Sequence, residues 1–180
     1  MKKLLSVAAI VGLLTTGAMA SSTTKFGIYG GYGAGSFSVD NDNYSANMHL
    51  WEGGLFIDHV KGHLYTGLEV GYGKYDYTNL KAFDMAILRG KAGVHFDTFR
   101  PINIYAIATG GYGGNDNSDF ATFGYGAGFG IDLTKHWGIE LNYIHSVDNH
   151  IYVDYPEPDG TYPDFKYSTD RGEAFIKYSF

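Results

Sequence analysis

The stretch Tyr125-Gly126-Ala127-Gly128-Phe129-Gly130-Ile131 has an apolar or aromatic residue at every odd position and glycine at every even one. Successive side chains of a strand point to opposite faces, so this period of two reads as a strand with two unlike faces. A helix would need apolar residues three and four apart. Similar alternation recurs over 26–34 (Phe26, Ile28, Tyr32 and Ala34 on one face), 51–57, 64–72, 86–96, 102–112, 137–143 and 172–180, making eight strands with 125–131. The runs approach the ~9–11 residues with which a tilted strand crosses a bilayer, and most exceed the ~5–6 residues of a soluble strand.

The connections carry a second pattern. Short turns fall at 58–63, 97–101 and 132–136, and longer polar stretches fall at 36–47, 73–81, 113–121 and 146–170. Strands joined by short turns at one end and long loops at the other form an up-and-down barrel of the outer-membrane type, with the long loops outside the cell. The fold class is therefore all-β, an eight-stranded antiparallel up-and-down transmembrane β-barrel.

The faces fit that reading. Leu64, Thr66, Leu68, Val70 and Tyr72 oppose Gly67, Glu69, Gly71 and Gly73, while Trp137, Ile139, Leu141 and Tyr143 oppose Gly138, Glu140 and Asn142. Ionised groups are expensive in lipid, so Glu69 and Glu140 must point inward. Alternation puts Arg89, Lys91, Glu173 and Lys177 on the inward faces of their own strands. These six residues form a candidate interior charge network, in a bore with room only for packed side chains. Aromatics mark the two expected membrane edges, with Phe26, Phe96, Trp137 and Phe180 toward the short turns and Tyr32, Tyr72, Tyr112 and Tyr143 toward the long loops.

Composition narrows the function classes. Of 180 residues 26 are glycine and none is cysteine, which excludes disulfides, thiolate metal sites and a cysteine nucleophile. With 13 Lys+Arg against 19 Asp+Glu the formal charge is -6, so nucleic acid is not an expected partner. Residues 1–20 combine Lys2 and Lys3, an apolar run from Leu4 to Leu14 and an Ala18-Met19-Ala20 end, the layout of a secretory signal peptide; residues 21–180 are then the barrel domain.

The last nine residues, Gly172-Glu173-Ala174-Phe175-Ile176-Lys177-Tyr178-Ser179-Phe180, alternate toward a terminal phenylalanine. Here the chain resembles the Gram-negative outer-membrane barrels, and within them the eight-stranded OmpA transmembrane-domain and OmpX-like, porin-like families. Gly67-Leu68-Glu69-Val70-Gly71-Tyr72 and Trp137-Gly138-Ile139-Glu140-Leu141-Asn142-Tyr143 are the stretches most like theirs. The resemblance implies residence in the outer membrane among its lipid and lipopolysaccharide, and a C-terminal signal at Ile176, Tyr178 and Phe180 that the barrel assembly machinery reads. A monomer without cofactor is expected, acting structurally or through surface contacts of its long loops with an unidentified host or surface ligand.

Other chemistry is weakly represented. Gly31-Tyr32-Gly33-Ala34-Gly35 and the glycines at 126–130 follow strand period and lack the Lys-Ser/Thr and helix of a phosphate loop. His59 and His63 flank a short turn; His145 and His150 lie near Asp148 without a third defined metal ligand. The acids Asp40, Asp42, Asp116, Asp119, Asp148, Asp154, Glu157, Asp159 and Asp164 are expected in the outer loops, and from Asp40 onward the spacing does not match a calcium loop. No catalytic or metal residue is assigned. Two alternatives stand beside the non-catalytic reading. One is a narrow pore for small ions or solutes; the other is a lipid A-modifying barrel enzyme, against which His145 and Ser146 fall on opposite strand faces.

Overall fold

The computed structural model describes residues 22–39, 45–78, 82–115, 118–153 and 166–180. They form one closed antiparallel barrel of eight strands in sequence order. The strands are β1 (Ser22–Val39), β2 (Ser45–Lys61), β3 (Leu64–Tyr77), β4 (Phe83–Phe96), β5 (Ile102–Asn115), β6 (Ser118–Asp132), β7 (Trp137–Val153) and β8 (Lys166–Ser179). Closure pairs β1 with β8, for example Gly31 with Phe175, so neither strand is left with an open edge.

Alternation continues through every strand. Phe26, Leu55, Leu64, Tyr72, Tyr112, Tyr125, Trp137, Leu141 and Ile176 are exposed on the outer wall, whereas Tyr29, Phe56, Glu69, Arg89, Tyr105, Glu140 and Phe175 are buried in the bore. Rings gather at the two levels expected for membrane edges. Phe26 lies 5.6 Å from Phe180 and Trp137 lies 4.8 Å from Tyr178 near the short turns, and Tyr32 lies 4.8 Å from Trp51 toward the other end.

Two sequence expectations require correction. The first short turn is only Gly62-His63, because β2 runs to Lys61 and carries Asp58 inward within the strand. Gly62 takes φ 58°, a left-handed conformation that glycine adopts without strain. The stretches expected as long loops are in large part strand. β1 and β2 reach Val39 and Ser45, β3 and β4 reach Tyr77 and Phe83, β5 and β6 reach Asn115 and Ser118, and β7 reaches Val153. Asp119, Asp148 and Tyr152 thus lie in strands, and the β6–β7 ladder steps past His150 at a bulge. Asp40, Asp42, Asp116, Asp154, Glu157, Asp159 and Asp164 lie outside the described residues.

The extra length has a physical reason. Strands of 14 to 18 residues tilted by ~40° rise about 35–45 Å, whereas the apolar band of such a barrel is ~25 Å tall. Turns are short at one end, so the excess projects at the other. In that overhang Phe37, Met48, Leu50, Tyr75, Phe83, Met85 and Ile87 make one buried apolar cluster inside the barrel. On the outside, Asn47, His49, Lys74, Asp76 and Asp84 are exposed. Below the upper aromatic level the wall is apolar outside and charged inside; above it the polarity is reversed, as for strands surrounded by water.

Inward glycines make room for large neighbours. A Cβ at Gly128 would run into the Tyr105 ring and Asn142 Oδ1, and one at Gly71 would meet the Tyr29 hydroxyl. At Gly90, on the outer wall, a Cβ would meet nothing within 4 Å. Gly128→Leu should therefore destabilise the barrel by about 1–3 kcal/mol, while Gly90→Ala should fold like the parent. Loss of the heat-modifiable gel shift at a lower temperature in the first variant alone is the expected result; equal midpoints would refute the packing role of Gly128.

Candidate functional site

The bore is the candidate site because buried ionisable groups converge there from most of the wall. Strand parity points Glu52 of β2, Glu69 of β3, Arg89 and Lys91 of β4, Glu140 of β7, and Arg171, Glu173 and Lys177 of β8 inward, and all are buried. Although Glu69 is the cross-strand partner of Arg89, their nearest approach is 3.7 Å, and Glu69 bonds instead to Lys91 two residues further along β4. Such diagonal pairs suit long side chains. Lys91 also bonds Glu140 across the bore, and Lys177 reaches Glu140 at 2.9 Å, Glu69 at 3.3 Å and Asp58 at 2.6 Å. This forms a lower layer of two ammonium groups among three carboxylates.

The layer above is built on guanidinium groups. Arg89 forks onto Glu52, with Nη2 donating to Oε2 at 2.6 Å, and the same Nη2 donates to Glu173 at 3.1 Å. The planar fork matches a carboxylate with two parallel bonds, a geometry that lysine lacks. Arg171 donates to Glu173 at 2.8 Å and to the Ser146 hydroxyl at 2.9 Å. Tyr29 donates its hydroxyl to Glu52. Rings lie against the cations: Lys177 Nζ is 3.8 Å from the Phe56 centroid, and Arg89 is 5.1 Å from that of Phe175.

All six residues expected in the interior network are thus in the bore, where they meet one another and additional partners. Glu52, Asp58, Arg171 and Tyr29 were missed. Glu52 alternates with the outward Trp51, Gly53 and Leu55, so parity alone could have found it. Asp58 opens a stretch that reads as a turn, and Arg171 falls between the expected fourth loop and the expected last strand. Inward aromatics such as Tyr65 and Tyr105 carry no simple marker, because tyrosine also lines membrane edges.

The two mouths differ. At the short-turn end a polar cavity of about 370 Å³ lies beside Lys25, Asp58, Tyr65, Asn103 and Asp132. There Lys25 pairs with Asp132 at 2.6 Å, and the Tyr65 hydroxyl donates to Asp58 at 2.8 Å. At the other end the apolar cluster packs inside the wall formed by β1 to β4, with Arg171 5.7 Å from the Tyr75 ring centroid.

The remaining candidates are separated by the fold. His59 pairs with Thr24 at 2.9 Å on the outer wall, while His63 contacts the carbonyl of His95 at 3.2 Å. His145 faces outward onto Asp170 at 2.9 Å, whereas Ser146 is buried inside against Arg171, so the adjacent His and Ser do not meet. Among the described residues no group of three His, Cys, Asp or Glu is placed to hold a metal ion. Ile176 and Phe180 are exposed on the outer wall and Tyr178 packs between Trp137 and Phe180.

Removing one partner of a buried ion pair leaves the other charge uncompensated at a cost of about 3–5 kcal/mol. Arg89→Met should lower the unfolding free energy from urea titration in detergent micelles by that measure, with a lower midpoint, and adding Glu52→Gln should recover part of the loss, since the two residues share one interaction. An unchanged midpoint in Arg89→Met would refute the assignment.

A search of curated protein sequences gave no match. Among solved structures the chain is similar to Neisserial surface protein A, with 13% identity, TM-score 0.46, and coverage of 88% of this chain and 99% of that one. It is also similar to the outer membrane protein OprG from Pseudomonas aeruginosa, with 11% identity, TM-score 0.49, and coverage of 88% and 97%. Similarity to Ail, the attachment invasion locus protein of Yersinia pestis, is 15% in identity with TM-score 0.39 over 87% and 98%. The family described as the outer membrane protein beta-barrel domain matches residues 6–170. With its closed eight-stranded wall and a match spanning most of its length, the chain belongs to the outer membrane protein beta-barrel domain family and resides in the cell outer membrane.

Proposed function

We propose that this protein is a non-catalytic, non-conducting barrel whose role is structural or rests on contacts made by its projecting outer rim. The observation that carries the reading is the filling of the bore. A passage for ions needs a continuous polar path, and this bore offers two paired ionic layers followed by an apolar cluster whose members Met48 and Leu50 are fully buried. An ion entering from the short-turn side would have to break pairs such as Lys177–Asp58 and then shed its water against Met and Phe side chains. The narrow-pore reading has no comparable support. The enzyme reading lacks a joined nucleophile and base, since His145 and Ser146 lie on opposite faces.

The rim supplies surface for contact. Strands projecting beyond the hydrocarbon present Asn47, His49, Lys74, Asp76 and Asp84 outward, in reach of lipopolysaccharide sugars and phosphates or of a host or surface ligand. Residues 154–165 of the fourth expected loop, which include Tyr155, Tyr162 and Phe165 beside Pro156, Pro158 and Pro163, lie outside the described residues. The terminal Ile176, Tyr178 and Phe180 are the proposed signal for the barrel assembly machinery, and a monomer needs no further partner to close its sheet.

Planar-bilayer recording of the purified barrel tests the proposal. The expected outcome is an absence of steady unitary steps in potassium chloride, with folded protein verified by its heat-modifiable shift. Reproducible ohmic steps from folded protein would replace this reading with the pore.

A further inference from the structure

We propose that the outer wall carries a phospholipid site in the periplasmic leaflet, with the lipid phosphate held near His59 and Lys61 and one acyl chain lying across β2 to β5. The wall is not uniformly bulky there. A hollow of about 580 Å³ has Gly90, Ala92, Ala106 and Ala108 as its floor and Ile57 and Leu68 as its side. Large side chains such as Phe26, Leu55, Leu64 and Phe129 stand exposed on the wall elsewhere. The barrel's own packing does not require the smallest floor residue, because a Cβ at Gly90 would point into open space.

Cross-strand register aligns the hollow. Thr24 pairs with His59, His59 with Thr66, Thr66 with Ala92, and Ala92 with Ala106, a row from β1 to β5. From β2 to β5 three inter-strand steps of ~4.8 Å span about 14 Å, a large part of one extended acyl chain. The row is polar at one end only. Thr24 and His59 are bonded to each other at 2.9 Å, and Lys61, exposed two residues beyond His59 on the same strand, stands beside the turn at Gly62. From that end inward the lining becomes Ala and Gly.

A cation and hydrogen-bonding side chains at the short-turn interface, followed by an apolar trough into the hydrocarbon, match an anionic headgroup with its chain. The formal charge of the whole chain is -6, so attraction of an anion must be local; Lys61 supplies the charge, and His59 and Thr24 supply hydrogen-bonding groups. Short turns face the periplasm, which puts this site in the phospholipid leaflet and not in the lipopolysaccharide leaflet. A filled trough also restores the dispersion contacts that its floor residues otherwise lack. The inference rests on membrane placement and is independent of whether the bore conducts.

The test uses the full chain, folded in lipid-free maltoside micelles, titrated with palmitoyl-oleoyl phosphatidylglycerol and read by native mass spectrometry. One retained lipid per barrel is expected. Filling the trough by Ala108→Trp, or separately by Gly90→Leu, should weaken retention about tenfold, equivalent to ~1.4 kcal/mol. The pair His59→Ala with Lys61→Ala should weaken it comparably, and Leu55→Trp, on the same wall outside the trough, should leave it unchanged. All variants are compared only when they show the heat-modifiable shift of the folded barrel. Retention that persists in both trough variants, falls equally in Leu55→Trp, or is indifferent to loss of His59 and Lys61 would overturn the site, as would no retained lipid in the parent.

Discussion

The cost of an unpaired charge away from water governs this structure. A carboxylate or ammonium group facing hydrocarbon loses several kcal/mol, and one inside a narrow bore loses a similar amount unless a counter-charge meets it. Each strand that crosses the membrane must therefore give one face to lipid and send its ionisable residues inward, and those residues must find partners from other strands. Arg89 is the clearest case. It is fully buried, and its guanidinium bonds Glu52 from β2 and Glu173 from β8, joining walls that the backbone ladder does not connect directly. Lys91 and Lys177 make an equivalent link between Glu69 and Glu140.

The ionic layers and the glycines depend on each other. Eight strands enclose little space, so rings such as Tyr29 and Tyr105 fit inside only where an opposing position has no side chain. Gly71 and Gly128 stand at those positions. The glycine excess is thus largely a consequence of filling a narrow tube with large paired groups. Gly90 and Gly172 differ: they face the outer wall, a Cβ at either would meet nothing within 4 Å, and at Gly90 the missing side chain forms part of a hollow toward lipid.

The same strands cross two solvents. Below the upper aromatic level the outside is apolar and the inside charged; above it, Lys74 and Asp76 face out while Tyr75 between them packs inside with Met48 and Met85. The hydrophobic effect, absent between the wall and lipid, returns once water surrounds the strands, and the apolar cluster holds the projecting ladder together. A polar stretch with scattered apolar residues reads as a loop in the chain, and the described parts of 36–47 and 73–81 become strand because those scattered residues pack inside.

Period-two alternation is a property of the chain itself, because successive strand side chains must point to opposite faces. From that alone came the number of strands, the lipid and bore faces, the inward direction of Glu69, Arg89, Lys91, Glu140, Glu173 and Lys177, and the placement of aromatics at two levels. Alternation contains no information about which inward charges meet, since that is set by how far each strand is staggered against the next when the sheet closes. Only the closed barrel brought Lys177 of β8 to Asp58 of β2 and Lys91 of β4 to Glu140 of β7. Only there, too, did Phe37, Met48, Tyr75 and Phe83, each unremarkable among polar neighbours in the chain, become one apolar cluster, because the faces that bury them come from four different strands.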